Sequence, residues 1–520
     1  MALSAALFMM STPSLPSPAE IESRRSDWRV GAVVYQVFVD RFAQGNTPGE
    51  TPSDFRKALT KGQTFAEWKS LPTPGTKDAS LGCWTHELVF WGGTLGGVQS
   101  KLDYLLSLQA DVLYLTPIHA AFTNHRYDAQ DYRQVDAKLG GGPALQRLER
   151  ALDAKGMRLM LDGVFNHMGR TSPDFQAALK NPQHPKRDWF VWNSAVPEGY
   201  IGWAGAANLP EVNLDSRAVR EDLWLGPESV VQSALRQGVD GWRIDVAFEF
   251  GHAYLSEITT SAKAAKPDAW VVGEISGFPS GWQGSVDGVF NWTGPALVRE
   301  ATLGRASARQ ANAALSQLVS EAGIDHLLRS WILVDNHDTP RLASTVPSWA
   351  DRKLVLGSQF TLAGSPVIYY GTELGMEGAG DPANRAPMDW AKATEKNEDL
   401  SWVKTLSSLR RRLPALRVGN QLSASGDQLI AYVRATDRPD ETVLVVINPS
   451  DKEITETLMI PDGRILSWNE LSDVLSKLKT RCINGMAAVT SPAKSIQIYT
   501  VDLSGFKQHN PYRRILPPAK

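Results

Sequence analysis

At 520 residues the chain is too long for one ordinary core, and its formal net charge of −2 gives no electrostatic reason to expect nucleic acid, an acidic membrane or a strongly charged substrate as partner. A neutral ligand is favoured, and 17 tryptophans supply flat apolar faces that suit sugar rings as well as a large core. Cys83 and Cys482 have no metal-like or redox-like spacing and read as free, buried thiols. The opening "MALSAALFMM" is apolar but lacks the basic start of a secretory signal, and no run approaches the ~18 apolar residues of a membrane span. The expectation is therefore a cytoplasmic protein with no membrane partner, periplasmic or secreted placement being the alternative, and its oligomeric state is not legible.

In chain order, residues 1–27 form an N-terminal extension, open to disorder. Eight short β-rich runs follow, at intervals that leave room for helices: "GAVVYQVFV" from Gly31, "DVLYL" from Asp111, "MRLMLD" from Met157, "VDGWRID" from Val239, "AWVVGE" from Ala269, "VDGVFN" from Val286, "SWILVD" from Ser330 and "SPVIYYG" from Ser365. Most are near-continuously apolar, as strands covered on both faces of a parallel sheet are. Helical spacing of Val98, Leu102, Leu105 and Leu106, and of Leu406, Leu409 and Leu413, fills the gaps. The fold class is α/β, a (β/α)8 TIM barrel over 28–167 and 227–416. A Pro/Gly/Thr-rich stretch from about Ala43 to Phe90 is too long for a plain loop and should carry local structure. Residues 168–226 read as a small subdomain inserted after strand three, 417–505 as a C-terminal all-β sandwich, and 506–520 as a loosely held tail.

In such barrels the working residues stand at the C-terminal strand ends. Strands three, four, five and seven finish in "LDGVFNH", "GWRIDVAFE", "VVGEI" and "LVDNHDTPR", each delivering a carboxylate to one mouth. Retentive cleavage of a glycosidic bond needs one carboxylate to attack the anomeric carbon and one protonated acid to supply the leaving oxygen, about 5 Å apart. Asp245 and Glu274, ending adjacent strands, fit that need. Arg243, two residues before Asp245, faces the same way by strand alternation and can hold it ionised and aimed. Crowding by Asp245 and Asp338 favours a proton on Glu274.

These residues resemble the α-amylase superfamily of glycoside hydrolases, and within it the neopullulanase, cyclomaltodextrinase and maltogenic amylase group. The likeness runs from "VYQVFVDRF" through "DPANRAPMDW" and includes five motifs in order. It implies Asp245 as nucleophile, Glu274 as acid/base and Asp338 as the carboxylate that grips sugar hydroxyls and favours the oxocarbenium-like state. It implies that His167 and His337 hydrogen-bond the sugar on the non-reducing side of the cut. Asp162 would organise the site through Arg243, while Tyr127 stacks under the sugar. Asp128 would pair with Arg385 of "DPANRAPM", and His125 supports this group. "LPEVN", from Leu209, matches a signature of the inserted subdomain, and Trp203 just upstream stacks on a more distant sugar or belongs to a core. Asn166 matches a calcium ligand of true α-amylases, and "DRFAQGN" offers further oxygens, so calcium is an open option and no other cofactor is required.

The sequence also departs from the group. The first barrel strand begins near Gly31, so the swapped dimer that the group builds with an extra N-terminal β-domain is not expected; Phe248 replaces an asparagine, and Ser276 and Gly277 replace a tryptophan and a histidine. The expected partner is an oligosaccharide: the chain hydrolyses α-1,4 links, with α-1,6 links a second candidate, in maltodextrins or cyclic malto-oligosaccharides. A transglycosylase using the same intermediate is the first alternative. An inactive sugar-binding accessory protein is the second, disfavoured because all three carboxylates are kept.

Overall fold

The structure is a computed structural model and describes residues 15–502 and 511–515. The eight anticipated runs are eight parallel strands: β1 (Val34–Val37), β2 (Val112–Leu115), β3 (Arg158–Gly163), β4 (Gly241–Ile244), β5 (Trp270–Gly273), β6 (Gly288–Asn291), β7 (Trp331–Ile332) and β8 (Ser365–Tyr369). They close into a barrel in the order β1-β8-β7-β6-β5-β4-β3-β2, so every strand neighbours its sequence neighbours. Strand alternation divides their side chains between two cores. Val34, Val112, Met160, Trp270, Val272, Phe290, Trp331 and Val367 fill the interior. Tyr35, Leu113, Leu161, Trp242, Ile244, Val271 and Ile368 face outward beneath the helices. Both sets are buried, which is why the strands read as unbroken apolar runs.

The helices follow the anticipated spacing with one adjustment. Val98 and Leu102 lie on two short helices, Leu95–Gln99 and Leu102–Ser107, broken at Ser100 and Lys101, while Leu406 and Leu409 share α1 (Glu398–Arg412). The long stretch after β1 carries a helix, Pro52–Lys57, and a two-stranded pairing of Thr64–Phe65 with Val89–Phe90. The insertion after β3 is knit by antiparallel bridges that include His167 with Glu211 and Phe190 with Val212. Phe175 is its hub, with ring centroids 4.9 Å from Phe190 and 4.8 Å from Tyr200. "LPEVN" thus runs back alongside the exit of β3.

Beyond the barrel, β9 (Asn420–Ser423), β10 (Ile430–Ala435), β11 (Val443–Asn448), β12 (Ile454–Met459), β13 (Glu470–Asp473), β14 (Lys479–Ile483), β15 (Met486–Ser491) and β16 (Ser495–Asp502) form one antiparallel sheet. Its order is β9-β10-β11-β16-β13-β14-β15-β12. Alternate residues of β10, β11 and β16, among them Tyr432, Val445 and Ile498, pack on barrel helices. The intervening Val433, Leu444 and Tyr499 meet Leu458 and Val489, so the sheet curls over its own second core. Helix and sheet approach closely where a Cβ on Gly357 would lie 2.6 Å from Ile496 Cδ1.

The described residues near the two ends pack on the body of the molecule. Pro18–Ser26 is a helix opened by a capping box between Ser17 and Glu20. Its Ile21 packs with Val30, Leu328 and Val418, and buried Arg24 donates to Asn420 Oδ1 at 2.7 Å. The apolar decapeptide at the start lies outside the described residues. In the tail, Tyr512 is fully buried, its hydroxyl donating to Asn469 Oδ1 at 2.8 Å and accepting from the Leu466 amide. An aromatic anchor amid polar residues was the signal that the tail docks.

Burial drives the His119 imidazole from 6.5 down to about 4, so it is neutral in the fold. As pH falls, the unfolded chain therefore takes up this proton first, and the group's contribution to stability is lost between about pH 6.5 and 4. We predict that His119→Phe, which keeps the edge-on contact with Tyr132, reduces the acid-side fall in unfolding free energy by about 1.4 kcal/mol per pH unit in that window, read by urea titration. Parallel pH profiles for the two proteins would contradict this.

Candidate active site

The site grows from the barrel's alternation. In β3, Leu159 and Leu161 point out, so Met160 and then Asp162 point in; in β4, Trp242 and Ile244 point out and Arg243 points in. Asp162 and Arg243 are register partners. The wholly buried guanidinium meets three carboxylates: Nη1 lies 2.7 Å from both Asp162 Oδ1 and Asp245 Oδ1, and Nη2 lies 2.7 Å from Glu274 Oε1. Asp245 and Glu274 thus sit on neighbouring nitrogens of one planar group, an arrangement suited to the spacing of about 5 Å that double displacement uses. Hydroxyls of Tyr114 and Tyr127 donate to Asp162 Oδ2 at 2.6 and 3.0 Å. Asp162 therefore braces the arginine from below.

Burial raises the Asp245 carboxyl well above its usual range; Arg243 opposes the shift, and the charges of Glu274, Asp162 and Asp338 add to it. One cation faces more carboxylates than it can neutralise, so the cluster retains a proton. Just after Asp245, Val246 takes a left-handed conformation with φ of 41°, costly for a β-branched residue. The turn aims the Val246 amide at Glu274 Oε2, 2.9 Å away. Glu274 is thereby fixed by a backbone donor as well as by Arg243.

Asp338 approaches from β7. Asn336 Oδ1 accepts from the amides of Asp338 and Thr339, forming the turn that presents the carboxylate. Arg385 Nη2 and His337 Nε2 each lie 3.1 Å from it. Its side chain is 46% exposed against 8% for Asp245, so it is the carboxylate a ligand reaches first. All three carboxylates line one cavity of about 470 Å³, with Tyr127, His167, Trp203 and Arg385 on its walls.

The histidines divide their work. His167 is buried, neither ring nitrogen makes a well-formed hydrogen bond, and burial lowers its pKa to about 3, with the Tyr127 backbone opposing the shift. With its ring on the cavity wall, His167 keeps hydrogen-bonding capacity for a bound hydroxyl. His337 is used instead to place its neighbours: Nδ1 meets Gln36 Nε2 at 2.9 Å, Nε2 meets the Tyr127 hydroxyl, and its ring lies parallel to Tyr127 at 5.3 Å. Burial beside Arg385 and Arg243 keeps its pKa well below the usual value. His125 supports the same tyrosine, accepting from the Tyr127 amide at 3.0 Å.

One expectation needs correction. Asp128 does not pair with Arg385: Arg126 turns the loop back with φ of 63°, and Asp128 accepts from the Phe122 and Thr123 amides at 3.1 Å. Besides Asp338, the acid that pairs with Arg385 is Asp381, four residues earlier, at 3.3 Å. Burial raises Asp381, but a hydrogen bond from His86 and the charge of Arg385 more than reverse this, leaving it at about 2. The residues named for calcium are engaged with protein groups. Asn166 donates to Glu249 Oε2 at 3.1 Å, and Asp40 accepts from Arg41 and from the amides of Trp91 and Gly92. Among the described residues no three His, Cys, Asp or Glu side chains converge as a metal site.

Glu249 was not singled out from sequence, yet it ties the wall together, accepting from Asn166 and, at 2.9 Å, from Trp203 Nε1. Trp203 lies against His167, ring centroids 5.1 Å apart and planes 22° from parallel. Glu87 and Trp84 also line the cavity, carried there by the long segment after β1. The i, i+4 spacing of Asp381 and Arg385 was a usable signal; nothing local marked Trp84 or Glu87.

The sequence matches the family described as alpha amylase, catalytic domain, over residues 36–415. It is similar to neopullulanase 2 of Thermoactinomyces vulgaris, 33% identical over 85% of this chain and 73% of that protein. It is similar also to a cyclomaltodextrinase of a Bacillus species, 33% identical over 81% of this chain and 73% of that one. Among solved structures, a cyclic α-maltosyl-(1→6)-maltose hydrolase from Arthrobacter globiformis, ligand-free form, matches with a TM-score of 0.73 and 30% identity, covering 90% of this chain and 99% of that one. The chain belongs to the alpha-amylase family of glycoside hydrolases.

Proposed function

We propose that the protein hydrolyses α-1,4 links of short or cyclic malto-oligosaccharides through a covalent glycosyl-enzyme intermediate. The observation that carries this is the meeting of Asp245 and Glu274 on one buried guanidinium at the floor of a cavity that Asp338 overlooks. Asp245 Oδ attacks the anomeric carbon while Glu274 gives its proton to the bridging oxygen. Glu274 then draws a proton from water, which displaces Asp245 and leaves the anomeric configuration retained. Asp338, held by Arg385, accepts hydrogen bonds from sugar hydroxyls as positive charge develops at the ring. Tyr127 and His167 position the sugar. Substrate hydroxyls would satisfy the His167 nitrogens, which favours a neutral polyol over an anion.

The names of the relatives support cyclic and short glucans as substrates, and the Arthrobacter structure supports α-1,6 links as a second target. Incubation with maltotriose, pullulan, a cyclodextrin, starch and cyclic maltosyl-maltose, followed by chromatography, tests this. We expect the small and cyclic sugars to be consumed fastest. Longer or rearranged products at high sugar concentration would instead mark a transferase, since the intermediate passes to whichever acceptor reaches it.

Asp245→Asn should fold with an unchanged melting temperature and lose at least about 10³-fold in kcat. Added azide should restore part of the turnover. Glu274→Gln should fall about 10²–10⁴-fold on maltotriose but far less on 4-nitrophenyl α-glucoside, whose leaving group departs without a proton. Equal losses on both substrates would remove Glu274 from the acid role. Glu249→Gln, which loosens Trp203 without touching the carboxylates, should raise KM several-fold and change kcat little; a purely kcat effect would contradict that assignment.

A further inference from the structure

A second cavity, of about 290 Å³, opens at the opposite end of the barrel. Gly31 and Val33 approach β1 there and Asp111 precedes β2, so it lies at the N-terminal strand ends, away from the carboxylates. Arg25, Arg410, Arg411 and Arg417 line it, with Asp111 the sole acid on its wall. Asp111 is itself engaged, Oδ1 with Arg411 at 3.0 Å and Oδ2 with the Val33 amide at 2.9 Å.

Arg410 is 2% exposed, and its hydrogen-bond acceptors are backbone carbonyls, those of Gly31, Phe360 and Gly364. Three neutral acceptors clamp the ends of β1 and β8 to α1, which accounts for an arginine at this place. They do not account for its charge. A guanidinium carries five donors and cannot shed its proton in a protein, so two N–H groups and a full positive charge remain. Buried charges are ordinarily paired, yet the neighbouring charges of Arg434 and Arg417 are of the same sign and outweigh that of Asp111, the one opposing charge. Arg417 is likewise held by carbonyls, those of Val30 and Trp28.

An independent observation points the same way. Ser407, one turn before Arg410 and Arg411 on α1, is 1% exposed, lines this cavity, and its hydroxyl has no hydrogen-bond partner. A mid-helix serine ordinarily returns its hydroxyl to the carbonyl four residues back. Here it is left over, beside several guanidinium groups that share a single acid, Asp111.

We propose that this floor cavity binds a small phosphate-class oxyanion, held by Arg410, Arg417 and the Ser407 hydroxyl. The volume admits a phosphate with a small organic substituent as readily as the free ion. Occupancy would join the N-terminal helix, β1, β2 and α1, so its effect is on stability rather than on the chemistry at the other mouth.

The test is thermal unfolding and calorimetric titration of the full chain with inorganic phosphate and, separately, a hexose monophosphate, against sodium chloride at matched ionic strength. A saturable rise in melting temperature with either phosphate, absent with chloride, is expected. Ser407→Ala and Arg417→Gln should each weaken binding about tenfold while leaving maltotriose turnover intact; Ser407→Ala favours the helix and guards against misfolding as an explanation. Tighter binding of the hexose monophosphate would assign the ligand to phosphorylated sugars, and equal binding to the free ion. Equal responses to phosphate and chloride, or undiminished phosphate binding by both variants, would overturn the proposal.

Discussion

Everything at the barrel mouth depends on the Arg243 guanidinium. It is entirely enclosed, ion-paired with Asp162, Asp245 and Glu274, and lies within cation–π range of Tyr127 and Phe290. A buried cation with one acid would fix one side chain; with three, it sets the positions of two proposed reacting groups relative to each other. Because Asp162 takes the rear position and is itself braced by two tyrosine hydroxyls, the fork cannot rotate without breaking several charge-assisted bonds at once. The same excess of carboxylate explains why a proton stays in the cluster. The proposed acid and nucleophile need that division of protons to act in turn.

This polar layer stands on an apolar barrel interior. Trp270, Trp331 and Phe290 stack across the interior, Phe290 and Trp331 nearly parallel at 5.7 Å. Large rings fill the bore beneath the ions. Strand alternation then decides the boundary: Met160 ends the apolar filling and Asp162, two residues on, begins the charged layer. The inserted segment after β3 and the long one after β1 complete the walls, with Trp203 on the first and Trp84 and Glu87 on the second.

How much of this was legible in sequence follows from how local each signal is. The eight strands were readable because a parallel strand buried on both faces is a short apolar run, and that property needs no knowledge of partners. The three carboxylates were readable because strand ends are a single position in each run. Asp128 misled because its motif fixes residue types but not the direction of a turn made by Arg126. Glu249 and Trp84 escaped notice because their importance arises from neighbours more than forty residues away, Trp203 in one case and the cavity itself in the other. The N-terminal helix carried a local mark, Ser17 with Glu20, that composition-based reading of a Pro/Ser-rich start passes over.

The close approach at Gly357 has a further meaning for how the molecule holds together. Tyr432 shares a hydrogen bond with Thr361 at 2.6 Å, Arg434 donates to the carbonyls of Thr361, Leu416 and Gly419, and Ile496 fills the space a side chain on Gly357 would occupy. The trailing sheet is therefore not an appended module that could be clipped off. Its inner face is the missing flank of the helices beside β7 and β8, and removing it would bare an oily surface on the enzyme's own catalytic body.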